Sequence, residues 1–143
     1  MKDTASLRYD QLVPDVIDAL ARAQGVVDVH AFDPKIHNLV RLRASQLNRC
    51  GFCVKMHLGE AREAGETQQR LDRLVVWDQV RDFSARERAA LAWTEALTAL
   101  GRRADIAGLR DRMRGQFSDA EIGLVTANIA MINMWNRINV STH

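Results

Sequence analysis

The chain is short of cysteine (two), proline (two) and tyrosine (one), and its formal net charge is only +2 over 143 residues. Two cysteines exclude a closed four-cysteine zinc site and a framework of several disulfides. No apolar run reaches the ~20 residues that a membrane-spanning helix needs, and no apolar stretch follows the opening charges of MKDTASLRYDQL. A membrane partner and a secretory leader are therefore not expected, and the reading is a cytoplasmic chain. Gly-rich phosphate loops and period-two strand patterns are also missing. A pI near 8.8 in so balanced a composition gives little reason to expect nucleic acid. The richest basic run, GRRADIAGLRDRMRG (101–115), mixes Arg with Asp at helical spacing and reads as a solvated helix face.

What is present is helical. Hydrophobic residues at 47% and charged residues at 27% are ordinary for a globular protein, and the length fits a single domain spanning 1–143. Val13, Val16, Ile17 and Leu20 share one face of a helix with Pro14 in its first turn and Gly25 as its stop. Residues 26–32 carry no clear signal. Asp33 as N-cap and Pro34 at the first position open a second helix with Ile36, Leu39, Val40 and Leu47 on a stripe. The cysteine stretch ends at Gly65, and a shorter helix follows with Trp77 in a loop. Ser84 with Glu87, and Ser118 with Glu121, form capping boxes before two further helices. The last of these is apolar almost all round from Ile122 to Trp135, so it needs cover on most sides, and contacts with other copies of the chain are expected. The fold class is all-α, a bundle of six or seven helices.

Both cysteines lie in NRCGFCVKMHLGEAREAG (48–65). At about 100° per residue, Cys53 sits ~60° from Cys50 around a helix axis and His57 falls between them, so all three share a face. A helix starting near Cys50 favours thiolate there, and an imidazole one turn on can take and return protons. Three readings fit these residues. They are a redox dithiol, three of the four ligands of a zinc site completed by His37, His30, a carboxylate or water, and an inert or stapling pair.

The run LVRLRASQLNRCGFCVKMHLGEAREAGETQQRL, with WDQVRDFSARERAALAWTEALT and NMWNRINV further on, resembles the alkylhydroperoxidase D-like branch of the carboxymuconolactone decarboxylase family over about residues 33–140. The resemblance implies an all-α fold assembled as trimers or multiples of trimers, with the thiol site near a subunit boundary. It also implies a CxxCxxxH site that reduces hydroperoxides without a bound cofactor or metal and is re-reduced by a dithiol, either a lipoyl group or a thioredoxin-like partner. By that resemblance Cys53 is the peroxide-attacking thiol, Cys50 the resolving thiol and His57 the proton relay. The helix-dipole argument by itself favours Cys50 as the more acidic thiol.

Two positions depart from the family pattern. Asn38 stands twelve positions before Cys50, where the best-studied members have a relay glutamate, and Phe52 replaces a histidine between the cysteines. An amide can orient His57 but cannot shuttle a proton, so Asn38→Glu is expected to speed turnover if the relay is interrupted there. A substitute role for His37 is weak, since neighbours on a helix point about 100° apart. Met56, Met131 and Met134 read as core. Trp135 reads as packing, Asn136 as a cap or backbone-bonded amide, and Arg137 as a partner of the helix C-terminus. His30 and His143 have no partner that the sequence names. Two functions follow: a thiol-dependent hydroperoxide reductase, or a weakly catalytic redox sensor or scaffold on the same fold. Lactone decarboxylation leaves the CxxC without a task.

Overall fold

In the computed structural model, which describes residues 5–142, every regular element among those residues is helical. In chain order they are α1 (Tyr9–Leu12), α2 (Pro14–Val29), α3 (Pro34–Leu47), α4 (Gly51–Glu63), α5 (Gln68–Arg73), a 3-10 segment (Leu74–Gln79), α6 (Ala85–Ala99), α7 (Ile106–Arg114) and α8 (Asp119–Thr142). The eight α-helices exceed the expected six or seven because α1 is a single turn without buried residues and α5 is followed by a separate 3-10 segment. Trp77, expected in a loop, lies in that segment and is buried. Its indole N–H donates to Glu95 Oε1 at 2.7 Å.

The starts follow from their caps. The Asp33 carboxylate accepts from the backbone N–H groups of Lys35 (3.1 Å) and Ile36 (3.2 Å), with Pro34 next at N1. Both capping boxes are reciprocal. The backbone N–H groups of Ser84 and Ser118 donate to Glu87 and Glu121 at 2.7 and 2.9 Å, and the glutamate N–H groups donate back to the hydroxyls at 3.1 and 3.2 Å. Each such cap contributes about 1 kcal/mol. One stop was misplaced: α2 runs through Gly25 to Val29. A mid-helix glycine costs only about 1 kcal/mol relative to alanine, and Gln24 Nε2 donates to Asp28 Oδ1 at 2.8 Å across the following turn. At Gly65, by contrast, φ is +92°, the left-handed geometry that ends α4.

Helix α3 packs against α4, α6 and α8 and is buried on two sides. Ile36 and Val40 join Trp93, Met113, Phe117 and Ile129 in one cluster, while Leu39 and Leu42 join Leu74, Trp77, Phe83 and Leu91 in another. Two-sided burial explains why Leu42, off the expected stripe, is fully enclosed. Leu47, on the stripe, is exposed because it sits at the helix end. The 101–115 segment is mostly exposed, as a solvated face should be, with Met113 turned into the core. Among the described residues, no helix is long and apolar enough to cross a membrane.

The amides of α8 clip it to α3. Asn128 Nδ2 donates to the His37 carbonyl (3.1 Å) and its Oδ1 accepts from Arg41 Nε (3.1 Å). Asn136 is fully buried. Its Nδ2 donates to Ser45 Oγ at 3.0 Å and its Oδ1 accepts from Asn48 Nδ2 at 2.9 Å. Its partners are thus side chains of and beside α3, in place of the cap or backbone group expected. Arg137, expected at a helix end, lies inside α8 and donates to the Asn133 carbonyl one turn back at 2.9 Å. Asn136→Leu strands the buried Ser45 hydroxyl, while Asn48 Nδ2 keeps Asn133 Oδ1 at 2.9 Å, and a loss of about 1–3 kcal/mol is expected. Thermal unfolding checks this, and a variant that melts with the parent protein would assign the α3–α8 register to packing alone.

Candidate active site

The cysteine site begins at a tight turn between α3 and α4. Arg49 has φ +55°, a left-handed geometry that costs a non-glycine residue about 1 kcal/mol and swings the chain from one helix into the next. Cys50 is the N-cap of α4, and its Sγ accepts from the backbone N–H of Cys53 at 3.3 Å. The structure joins Cys50 and Cys53 as a disulfide with Cα atoms 5.2 Å apart, inside the usual range.

Cys53 (0% exposed) and His57 (3%) are one turn apart and line a single chamber of about 280 Å³. Gln24 and Asp28 of α2, Arg41 of α3, Met56 and Glu60 of α4, and Ile132, Trp135 and Asn139 of α8 complete its wall. Cys50 is not part of that wall. Its exposed face belongs to a separate groove. The face shared by the three residues in sequence is therefore divided in space, with Cys53 and His57 on one side of the disulfide.

Glu60 was not anticipated. Its Oε2 lies 2.8 Å from His57 Nδ1, while His57 Nε2 is buried and has no hydrogen-bond partner among the described residues. A proton on Nδ1, donated to the carboxylate, leaves Nε2 as the basic nitrogen. The signal was the spacing of three between His57 and Glu60, which makes them neighbours on a helix. Asn38, which stands where the family pattern has its relay glutamate, is buried on α3, and the group within hydrogen-bond distance of Nδ1 is the Glu60 carboxylate. The carboxylate thus comes from α4 itself.

Behind this pair stands a second one. His37 Nε2 is 3.1 Å from Asp28 Oδ1, the same carboxylate oxygen meets Arg41 Nη2, and Arg41 Nη1 approaches Glu60 Oε2 at 3.6 Å. Arg41 thus holds two carboxylates, each facing a histidine. Burial pushes His57 below its ordinary value of 6.5, opposed by the hydrogen bond and charge of Glu60. Burial, then the Arg41 charge, pushes His37 down as well. Both imidazoles are neutral at pH 7.

The remaining candidates fall elsewhere. Met56 is exposed on the chamber wall rather than in the core, and Met131 and Met134 are partly buried on α8. Trp135 lines the chamber, and its indole N–H donates to Gln24 Oε1 at 3.0 Å. Phe52 is exposed beside the disulfide. His30 shares a small cavity with Phe32, Asp33 and His37. His143 lies outside the described residues. Among those residues no group of three or more His, Cys, Asp or Glu side chains is spaced to hold a metal ion.

Comparison with known proteins places this geometry. The carboxymuconolactone decarboxylase family profile matches residues 14–96. The uncharacterized protein YdfG of Bacillus subtilis is 29% identical over 133 residues, covering 93% of this chain and 90% of that one. A protein of unknown function from Agrobacterium tumefaciens, ATU0492, proposed to be an antioxidant defence protein AhpD, superposes with a TM-score of 0.92 at 32% identity, covering 97% of this chain and 95% of that one. An uncharacterized peroxidase-related protein from Silicibacter sp. TM1040 shares the fold at a TM-score of 0.77 and 21% identity, covering 87% of this chain and 66% of that one.

Proposed function

The chain belongs to the carboxymuconolactone decarboxylase family, and we propose that within it this protein is a thiol-dependent hydroperoxide reductase with Cys53 as peroxide-attacking thiol, Cys50 as resolving thiol and His57 as proton relay. The observation that carries the reading is that Cys53 and His57, whose Nε2 has no hydrogen-bond partner among the described residues, line one chamber. Similarity to the Agrobacterium protein proposed for antioxidant defence supports it.

His57 Nε2 takes the Cys53 proton, and the thiolate attacks the terminal oxygen of the hydroperoxide. The O–O bond breaks, and the alcohol leaves with the proton that His57 holds. Cys53 is now a sulfenic acid. The Cys50 thiol, deprotonated, attacks Cys53 Sγ, water leaves, and the disulfide seen here results. Two electrons from an external dithiol, a lipoyl group or a thioredoxin-like protein, restore both thiols. Met56, Ile132 and Trp135 give the chamber an apolar wall, and Arg41 is occupied by Asp28 and Glu60, so an uncharged organic hydroperoxide is the substrate class.

Multiple turnover of cumene hydroperoxide by the reduced protein with excess dihydrolipoamide tests the reading. Continued turnover supports it. A single oxidation without recovery would leave a redox sensor, and no oxidation of the thiols would overturn the reading. The protein works as a homo-oligomer, a trimer or hexamer. In support, α2 has no buried residue and leaves Val16, Val26 and Val29 exposed. Sedimentation at micromolar concentration is expected to give a multiple of 16.1 kDa, and a lone 16.1 kDa species would refute the assembly.

A further inference from the structure

Met56 follows Cys53 by three positions on α4, so the two side chains are neighbours on the helix surface, and both line the chamber with His57. Met56 is 43% exposed, whereas Met113 is enclosed and Met131 and Met134 are partly buried and lie outside the chamber wall. Two groups of that wall give up two electrons to a hydroperoxide by oxygen transfer, the Cys53 thiolate and the Met56 thioether. In the form seen here the first is spent. Cys53 is tied to Cys50, and the chamber still offers about 280 Å³. A hydroperoxide that enters before the disulfide is reduced meets Met56 as the remaining reductant.

We infer that Met56 is a modification site of this protein: hydroperoxide held in the chamber of the disulfide form oxidises it to the sulfoxide, and the sulfoxide weakens further uptake of apolar hydroperoxide. The inference rests on the hydroperoxide-reductase reading for the turnover that is slowed, while the oxidation of Met56 needs only the chamber and an oxidant. Met56 Sδ forms a bond to the terminal peroxide oxygen, the O–O bond breaks, and the proton of that oxygen passes to the alkoxide, which leaves as the alcohol. The sulfur loses two electrons and the peroxide gains them. The chamber favours this step over attack by a methionine in open water, because the apolar part of the substrate rests on Ile132 and Trp135 and holds the peroxide beside Met56.

The product changes the wall. A flexible apolar thioether becomes a polar sulfoxide, which leaves Ile132 and Trp135 as the apolar lining. Turnover thus falls when peroxide outruns the supply of dithiol, and methionine sulfoxide reductases restore it. The disulfide records one excess of oxidant and Met56 a longer one.

Peptide mass mapping of the disulfide form, made with diamide and then treated with either cumene hydroperoxide or hydrogen peroxide, provides the test. Exposure alone makes Met56 faster than Met113, Met131 and Met134 with both oxidants, so each rate is divided by that of N-acetylmethionine amide with the same oxidant. The resulting ratio at Met56 is expected to be about fivefold or more higher for cumene hydroperoxide than for hydrogen peroxide. Equal ratios for the two oxidants overturn the inference. Protein oxidised at Met56 and then reduced at its thiols with dithiothreitol, which leaves the sulfoxide in place, is expected to show a KM for cumene hydroperoxide raised about threefold or more, reversed by methionine sulfoxide reductases A and B. An unchanged KM refutes the effect on uptake. Met56→Leu keeps an apolar side chain without the sulfur, and the same pre-treatment should leave its KM where it was before treatment. A shift as large as that of the parent protein would assign the effect to another residue and sink the proposal. If hydroperoxide does not oxidise the thiols at all, the hydroperoxide-reductase reading fails and the effect on uptake falls with it, but the mapping of Met56 on the diamide-made disulfide still decides whether the chamber directs the oxidation.

Discussion

Cys53→Ser is expected to abolish hydroperoxide consumption, whereas Cys50→Ser should still permit one oxidation per chain and leave a sulfenic acid on Cys53 that dimedone traps. Two physical arguments compete over this assignment. Cys50 is the N-cap of α4, and its sulfur accepts the Cys53 backbone N–H, a contact that stabilises negative charge on Cys50. Cys53 lacks that cap position but shares the chamber with His57, whose neutral imidazole can take its proton and return it to the leaving alcohol. Peroxide cleavage needs the proton returned at the same place where the thiolate attacks, so proximity to His57 decides for Cys53. A serine hydroxyl does not ionise near pH 7, and no other cysteine exists in the chain to replace it. Mass spectrometry of dimedone-treated single-cysteine proteins provides the measurement. Labelling of Cys50 in the Cys53→Ser protein, with none on Cys53 in Cys50→Ser, would exchange the two roles and give the cap the deciding influence.

Much of this architecture was legible because its signals are local. Asp33–Pro34, Ser84 with Glu87 and Ser118 with Glu121 each fix a helix start within four residues, and all three caps form. The helix through Cys50, Cys53 and His57 needed only the 3.6-residue period. Features set by tertiary neighbours were harder. Leu42 is buried because α3 is covered on two sides, which no single stripe encodes. Asn136 reads as a cap until Ser45 and Asn48 arrive from 91 and 88 positions away in the chain. The division of the site, with Cys53 facing the chamber and Cys50 the groove, depends on where α8 crosses α4 and so on residues such as Trp135 and Val140. Glu60 was different in kind. Its spacing of three from His57 is plain in the sequence, but the family pattern has its glutamate at the position of Asn38 on another helix.

The role of Glu60 is tested by Glu60→Gln, for which a fall in hydroperoxide turnover of roughly 10- to 100-fold is expected, the range typical of a group that orients a catalytic ligand without touching the substrate. Glutamine no longer compels a proton onto Nδ1, so part of the population loses the basic Nε2. The sign of the pH effect separates this from a loss of packing. Glu60 opposes the downward push of burial on His57, so its removal lowers the imidazole further below 6.5. A base works when neutral, and the acid limb of the pH–rate profile must therefore move to lower pH while the plateau drops. An unchanged limb would make Glu60 a structural strut. Asn38→Glu gives the complementary measurement. With a carboxylate already 2.8 Å from Nδ1, a second one buried on α3 has no proton to relay and brings an uncompensated charge into the interior, so turnover is expected to stay level or fall while the protein loses a few kcal/mol of stability. Faster turnover in Asn38→Glu at unchanged melting temperature would instead return the relay to α3 and leave Glu60 as a partner for Arg41.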